Sequence, residues 1–307
     1  SQAFVSGNPL TSALIEAVFE IKASGQSLAG ISDALPLQNL PGNFQTDTIV
    51  VDTSASRSLD LLPALQAGCK LVFANKNALS APWLDALGYY KHPSVRYEAT
   101  VGAGLPVIQT LKTMLATGDQ ITRIEGVMSG TLGYLCSQLE AGFSYSQAIQ
   151  AAFSAGFTEP DPRDDLSGFD VARKALILAR TAGWPLEQQD LSVEALYDPS
   201  LVGVSVERFF TEMSGLDSTY DLKVREAASE GKVLRYVATI TAQSAQIGLK
   251  AVDKGSPLGA LNGPGNYFAF HSQRYKPIPL VISGPGAGIA VTAAGVFGDI
   301  LDLIYHR

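Results

Sequence analysis

Short apolar runs alternate with helical stripes through the first third of this 307-residue sequence, and that alternation limits the fold more than any other feature. Residues 2–6 form an apolar strand candidate, followed over 10–24 by Leu10, Leu14, Ile15, Val18 and Phe19 on one helical stripe. A weaker strand candidate spans 28–32, and 33–46, rich in Pro, Asn, Gln and Gly, reads as loop. Residues 48–52 (TIVVD) have the compact apolar pattern of a buried strand. Helix is predicted over 57–67 with Gly68 at its C-terminal cap, then strand over 70–74, helix over 82–90 and strand over 95–99. Such βαβ alternation predicts an α/β unit with a doubly wound parallel sheet.

The pattern changes near residue 105. Helices are predicted over 105–116, 131–141, 145–155 and 168–183, strands over 121–128, 232–242, 246–252, 267–271 and 278–282, and a last apolar helix over 287–305. The second unit is therefore read as α+β with a mostly antiparallel sheet, with no repeats or low-complexity tracts. With 46% hydrophobic and 17% charged residues the chain is too apolar for disorder. A net charge of -7 without basic runs argues against nucleic acid as a partner. No apolar run reaches the ~18 residues of a membrane span and no signal peptide is evident, so no membrane partner is expected. Cys69 and Cys136 cannot make a zinc site alone; they read as buried small hydrophobes in a reducing, cytoplasmic setting. A start at Ser1 fits a processed chain or a fragment.

The turn after the first strand runs SGNPLTS from Ser6 to Ser12. Its place suits a dinucleotide pyrophosphate over a helix N-terminus, with Gly7, Asn8 and Leu10 as the contacts. Yet Ser6, Asn8 and Thr11 stand where the glycine fingerprint has Gly, and Pro9 lacks an N–H. The competing reading is a plain turn with Thr11 or Ser12 as helix cap. Asp33 stands where a ribose-binding acid would lie, or is a turn residue.

The segment TEPDPRDDLSGFDVARK, from Thr158 to Lys174, is the most informative. Pro160 and Pro162 stiffen a loop carrying Glu159, Asp161, Asp164 and Asp165, and Ser167 can cap the helix that follows. On that helix Asp170 and Lys174 are spaced i, i+4 and share a face. The pair reads either as surface decoration or, because Ala175 to Leu178 are apolar, as a partly buried pair with a tuned lysine. Arg163 can pair within the acidic loop or reach a substrate carboxylate.

This segment closely resembles the homoserine dehydrogenase family. Further resemblances follow in the same order at Asn75-Lys76, EATVGAGLP (98–106), SGT (129–131), GKVLRY (231–236) and GAGIAVTAAGVFGD (286–299). The wording is most similar to the dehydrogenase portion of bifunctional aspartokinase–homoserine dehydrogenases, so the chain is expected to be a homodimer and can be part of a larger bifunctional polypeptide. No regulatory domain is expected after residue 307. The resemblance implies a Rossmann-like nucleotide-binding domain over 1–104, completed by 284–307, and a catalytic and dimerisation domain over 105–283. It implies reversible reduction of L-aspartate 4-semialdehyde to L-homoserine with NADP or NAD as cofactor, in threonine and methionine biosynthesis. Lys174, Lys76 and Asp170 match catalytic positions, and Glu159, Asp170, Lys76 and Thr131 match substrate-binding ones. Thr53, Ser54, Ala74, Lys76 and Gly288 match the cofactor lining. Glu98, with the carbonyls of Val101, Ala103 and Leu105, matches a monovalent cation (sodium) site; a tight turn feeding a helix is the alternative.

The chemistry suits these residue types, because an ammonium near an aldehyde oxygen stabilises the charge that builds there and can donate its proton. The departures fall in the nucleotide domain: the lost glycines, Ala74 where the family has Pro, and a shortened stretch after Asp33. They support a second reading, a weakly active or inactive dehydrogenase-like dimerising scaffold. His92, His271 and His306 lack triad or metal spacing. Tyr89 and Tyr90 read as helix packing, and Gly263 to Asn266 as a turn that can approach a ligand.

Overall fold

The computed structural model describes residues 2–4, 11–26, 34–36 and 46–305. Gly7, Asn8, Leu10, Asp33 and His306 lie outside the described residues. The chain divides into two compact units, one of residues 1–50 with 56–71, the other of 51–55 with 72–307.

In the first unit β1 (Gln2–Phe4) and β2 (Ala34–Pro36) flank α1 (Ser12–Ala23) in sequence. Thr11 caps α1, its hydroxyl accepting from the Leu14 N–H at 3.3 Å. β1 and β2 pair antiparallel, as a two-stranded sheet of their own; β2 falls in the stretch read as loop, and the strand predicted over 28–32 lies outside the described residues. Three residues a side leave little pattern to specify direction. β3 (Ile49–Asp52), α2 (Leu62–Gln66), β4 (Lys70–Phe73), α3 (Trp83–Lys91) and β5 (Val95–Arg96) follow, giving a sheet in the order β3-β4-β5. Lys70 N–H donates to Thr48 O and Ala74 N–H to Asp52 O, the constant offset of a parallel pair. The parallel α/β element predicted over 48–74 is present, though α2 is shorter than expected because Pro63 at its first turn sets a late start.

The remainder is α+β. α4 (Val107–Ala116), β6 (Ile121–Val127), α5 (Gly130–Glu140), α6 (Tyr145–Ser154), α7 (Pro162–Leu166), α8 (Phe169–Thr181), β7 (Leu191–Val193), α9 (Val206–Glu212), α10 (Asp217–Ser229), β8 (Lys232–Ile240), β9 (Ala245–Asp253), β10 (Gly265–Ser272), β11 (Leu280–Pro285) and α11 (Ile289–Tyr305) complete the chain. Six strands pair in the order β11-β10-β6-β8-β9-β7, antiparallel except for β7 with β9. Short β7, α7, α9 and α10 were not predicted. On α9 and α10 only Phe209, Tyr220 and Ala227 are buried, too sparse a stripe to read as amphipathic.

α8 is the central helix of this unit. Val171, Ala172 and Ala175 to Arg180 are buried, so its apolar stripe is wide. Gly168 precedes it in a left-handed conformation (φ +72°), and a Cβ there would meet the Tyr236 hydroxyl at 2.1 Å. Ser167 therefore terminates α7, its hydroxyl donating to Asp164 O, and Gly168 occupies the cap position of α8 that Ser167 had been expected to fill.

Candidate active site

The i, i+4 spacing on α8 sets Lys174 Nζ 2.9 Å from Asp170 Oδ2. The other carboxylate oxygen meets Lys76 Nζ at 3.2 Å and Arg173 NH2 at 3.2 Å. One carboxylate thus serves three cations. Lys174 also donates to the Met128 carbonyl at 2.6 Å, where β6 has run out toward α5. Its side chain is 12% exposed, against 26% for Lys76 and 37% for Asp170, so the cluster is open on the Asp170 side.

Burial acts to raise the Asp170 carboxyl, but the charges of Lys174 and Lys76 and the Lys174 hydrogen bond outweigh it and hold the group well below the ordinary carboxylate range. Burial lowers the Lys76 ammonium from its usual value; Asp170 opposes this while Lys174 and Arg173 add to it.

Lys76 is placed by the ends of β3 and β4. Asp52 is buried at the end of β3 and accepts from Asn75 Nδ2 at 3.0 Å, while its carbonyl takes the Ala74 and Asn75 N–H groups. Asp52 Oδ1 also takes Ser54 N–H and hydroxyl. Thr53 and Ser54 stand exposed after β3, and Ala74 follows β4, at the carboxyl ends of parallel strands where α/β proteins bind ligands. Arg173 NH1 reaches Asn77 Oδ1 at 3.3 Å and ties this loop to α8.

A second group gathers on Asp165. Its Oδ2 accepts the Glu159 N–H at 2.8 Å, and Oδ1 lies 3.0 Å from the Thr131 hydroxyl, which is also 2.6 Å from Phe157 O. Thr131 is therefore engaged in holding the acidic loop. The Glu159 side chain is exposed and has no hydrogen bond or ion pair among the described residues. Burial raises the Asp165 carboxyl, with the amide of Glu159 opposing. Arg163 forks onto Asp161 and donates to Leu201 O and Val204 O, so it pairs within the loop.

Around the GAGLP turn, Gly102 (φ +79°) and Ala103 (φ +55°) are both left-handed. Glu98 spans the start of α4, one oxygen accepting from Ile108 N–H and the other from Gln109 N–H, each at 2.7 Å. Asp299 of α11 accepts the Glu98 N–H at 2.8 Å, and Arg96 pairs with Asp302. Burial pushes Glu98 up to about 7 and Asp299 to about 6. Among the described residues no three His, Cys, Asp or Glu side chains group as a metal site. α11 lies so close that a Cβ on Gly104 would meet Val291 O at 2.4 Å. Gly288, before α11, has φ +120° and open space where a side chain would be.

Sequence reasoning missed Asp165 as a bridge and Arg173, whose signal was its i+3 spacing from Asp170. Of Gly263 to Asn266, read as a turn, Gly265 and Asn266 instead belong to β10. His271 pairs with Glu125, Cys69 and Cys136 are buried and not joined in a disulfide, and Tyr89 packs edge-on against Phe73.

A family model described as homoserine dehydrogenase matches residues 106–301. The bifunctional aspartokinase/homoserine dehydrogenase 2 of Arabidopsis thaliana is 43% identical over 87% of the chain and 30% of its own length. The homoserine dehydrogenase of Paracoccidioides brasiliensis is 40% identical over 87% of the chain and 76% of its own length. The chain spans about a third of the length of the bifunctional curated relatives it matches. Among solved structures, a Candida auris protein of unknown function superposes with a TM-score of 0.85 at 32% identity, covering 98% of this chain and 87% of that one. A hyperthermophilic archaeal homoserine dehydrogenase in complex with NADPH shares the fold, with a TM-score of 0.71 at 23% identity over 96% of this chain and 83% of that one.

Proposed function

The chain belongs to the homoserine dehydrogenase family, and from that premise we propose that it interconverts L-homoserine and L-aspartate 4-semialdehyde with NADP or NAD. The observation that carries the reading is the pair of lysines held on the two oxygens of Asp170, one from the loop after β4 and one from α8. Lys174 is assigned as the acid that protonates the substrate oxygen in reduction, and Lys76 as the second positive charge facing it. Asp170 orients both. Glu159, held by its backbone to Asp165, is free to take the ammonium of the amino-acid substrate, with Thr131 fixing the loop that carries it.

The bound nicotinamide supplies or accepts the hydride. Thr53, Ser54 and Ala74 at the strand ends, Lys76, and Gly288 with its open space would contribute to holding the dinucleotide; Gly7, Asn8 and Leu10, outside the described residues, are assigned to its pyrophosphate on the resemblance alone. The hydrogen bond from Glu98 N–H to Asp299 ties α11 to the stretch after β5; that 284–307 completes a nucleotide-binding part over 1–104 is proposed on the resemblance. Glu98 and the carbonyls of Val101, Ala103 and Leu105 offer one carboxylate and three neutral oxygens, a set suited to sodium. The Glu98 oxygens already accept amides at the start of α4, and an ion would share them with those N–H groups.

A homodimer, alone or within a bifunctional polypeptide, and a cytoplasmic setting complete the proposal. Two buried cysteines not joined in a disulfide support a reducing compartment, and among the described residues no helix is long and apolar enough to cross a membrane. The intact Lys76–Asp170–Lys174 group favours an enzyme over an inactive scaffold. The test is Lys174→Ala: turnover should fall by roughly 10²–10⁴-fold while cofactor affinity stays nearly unchanged. Equal turnover would remove this lysine from the mechanism.

A further inference from the structure

Asn266 opens β10 in register with Gly284 of β11, one residue before Tyr267, which pairs with Val127 of β6. The next β6-side residue is Met128, whose carbonyl holds Lys174. Asn266 therefore stands on the strand adjoining the backbone anchor of the assigned acid. Tyr267 points into a cluster with Val127, Val237 and Ala269. Strand alternation sends Asn266 to the other face, with Phe268, whose ring lies against Gly102 of the GAGLP turn.

Asn266 is only 1% exposed, yet neither Nδ2 nor Oδ1 has a hydrogen-bond partner among the described residues. A carboxamide buried with all its donors and acceptors unpaired is unfavourable, and native structures keep few such groups. What presses on this amide is the backbone of Gly286, so close that a Cβ there would lie 1.9 Å from Nδ2. Gly286 leads directly into Gly288, the assigned cofactor contact. The amide thus lies against a glycine stretch that carries its own backbone N–H and C=O groups.

We propose that Asn266 is a positioning residue for the cofactor: its carboxamide pairs with the backbone of the Gly286–Gly288 turn as that turn takes up its place against the nicotinamide. Unpaired, the amide disfavours one placement of the turn; paired, it favours the other. A cofactor that touches the turn gains affinity from that difference. The inference rests on the dehydrogenase reading.

Asn266→Leu, similar in shape and without polar atoms, tests it in the whole chain. Thermal unfolding without nucleotide is measured beside fluorescence titration with NADPH, both without homoserine. The expected result is a Tm a few degrees above the wild type together with roughly tenfold weaker NADPH binding, turnover at saturating cofactor being largely kept. A lowered Tm, or unchanged affinity, would overturn the proposal, since a purely structural amide would lower stability and leave affinity alone. If the leucine variant does not fold, Asn266→Ala carries the affinity comparison, with the same loss expected and unchanged binding decisive against it. Wild-type protein that binds neither NADPH nor NADH would overturn the dehydrogenase reading itself. Wild-type binding with unaltered variants would overturn this inference alone.

Discussion

Asp170 accepts contacts from three cations, and the balance among them sets the protonation of the site. Its charge and hydrogen bond support the protonated form of Lys76, while burial and the neighbouring Lys174 oppose it. Asp170→Asn removes the support and leaves the opposition, so the alkaline limb of the aldehyde-reduction rate should move to lower pH. A pH–rate profile checks this; an unmoved limb would take Lys76 out of the reaction. The same group has a stability signature. Its folded pKa is depressed, so its contribution is present above the unfolded value of about 3.9 and is lost only as pH falls through the lower folded value. The stability difference between wild type and Asp170→Asn should therefore persist at pH 5 and shrink in stronger acid, as read by urea unfolding across pH. Local spacing made the Asp170–Lys174 pair readable in sequence. Lys76 joins it from 94 residues away, which no periodicity reports, so it came from resemblance alone.

At the scale of elements, the junction between α7 and α8 decides where the helix carrying Asp170 and Lys174 begins. Proline density over 158–167 read as a stiff loop, but Pro162 at the first turn of α7 is where a proline suits a helix. Asp161 caps that turn, its side chain accepting from Arg163 N–H. Gly168 then turns the chain with left-handed backbone directly against Tyr236. Gly168→Ala should cost at least about 2 kcal/mol, combining the left-handed penalty with a steric clash. Gly168→Ala with Tyr236→Phe should recover only the part due to the hydroxyl. Urea unfolding of the single and double variants measures both; a neutral Gly168→Ala would mean that the junction is free to move. The longer strands of the six-stranded sheet were legible to within a few residues because β8, β9 and β10 are apolar-rich runs of eight or nine residues. β7 was not, since three residues give no period.

For the whole molecule, the sequence separated an α/β beginning from an α+β remainder because hydrophobic period and glycine placement change near residue 105. It could not show that β1 and β2 pair antiparallel, a choice made by tertiary context in strands of three residues. β11 is an edge of the six-stranded sheet and leaves Val281 exposed, with Ile278 beside it. A homodimer should appear in sedimentation as twice the 32.4 kDa of one chain, and a monomer at micromolar concentration would remove the dimer from the account. The central proposal is that a bound nicotinamide carries the hydride while the lysine–aspartate cluster handles the proton at the substrate oxygen. Homoserine-dependent reduction of NADP and of NAD at alkaline pH, with wild type and Lys174→Ala side by side, tests it most directly. The account predicts turnover by the wild type with at least one cofactor, and its near loss in the variant while cofactor still binds. A folded wild-type protein that turns over neither cofactor, or a variant as active as the wild type, would contradict it.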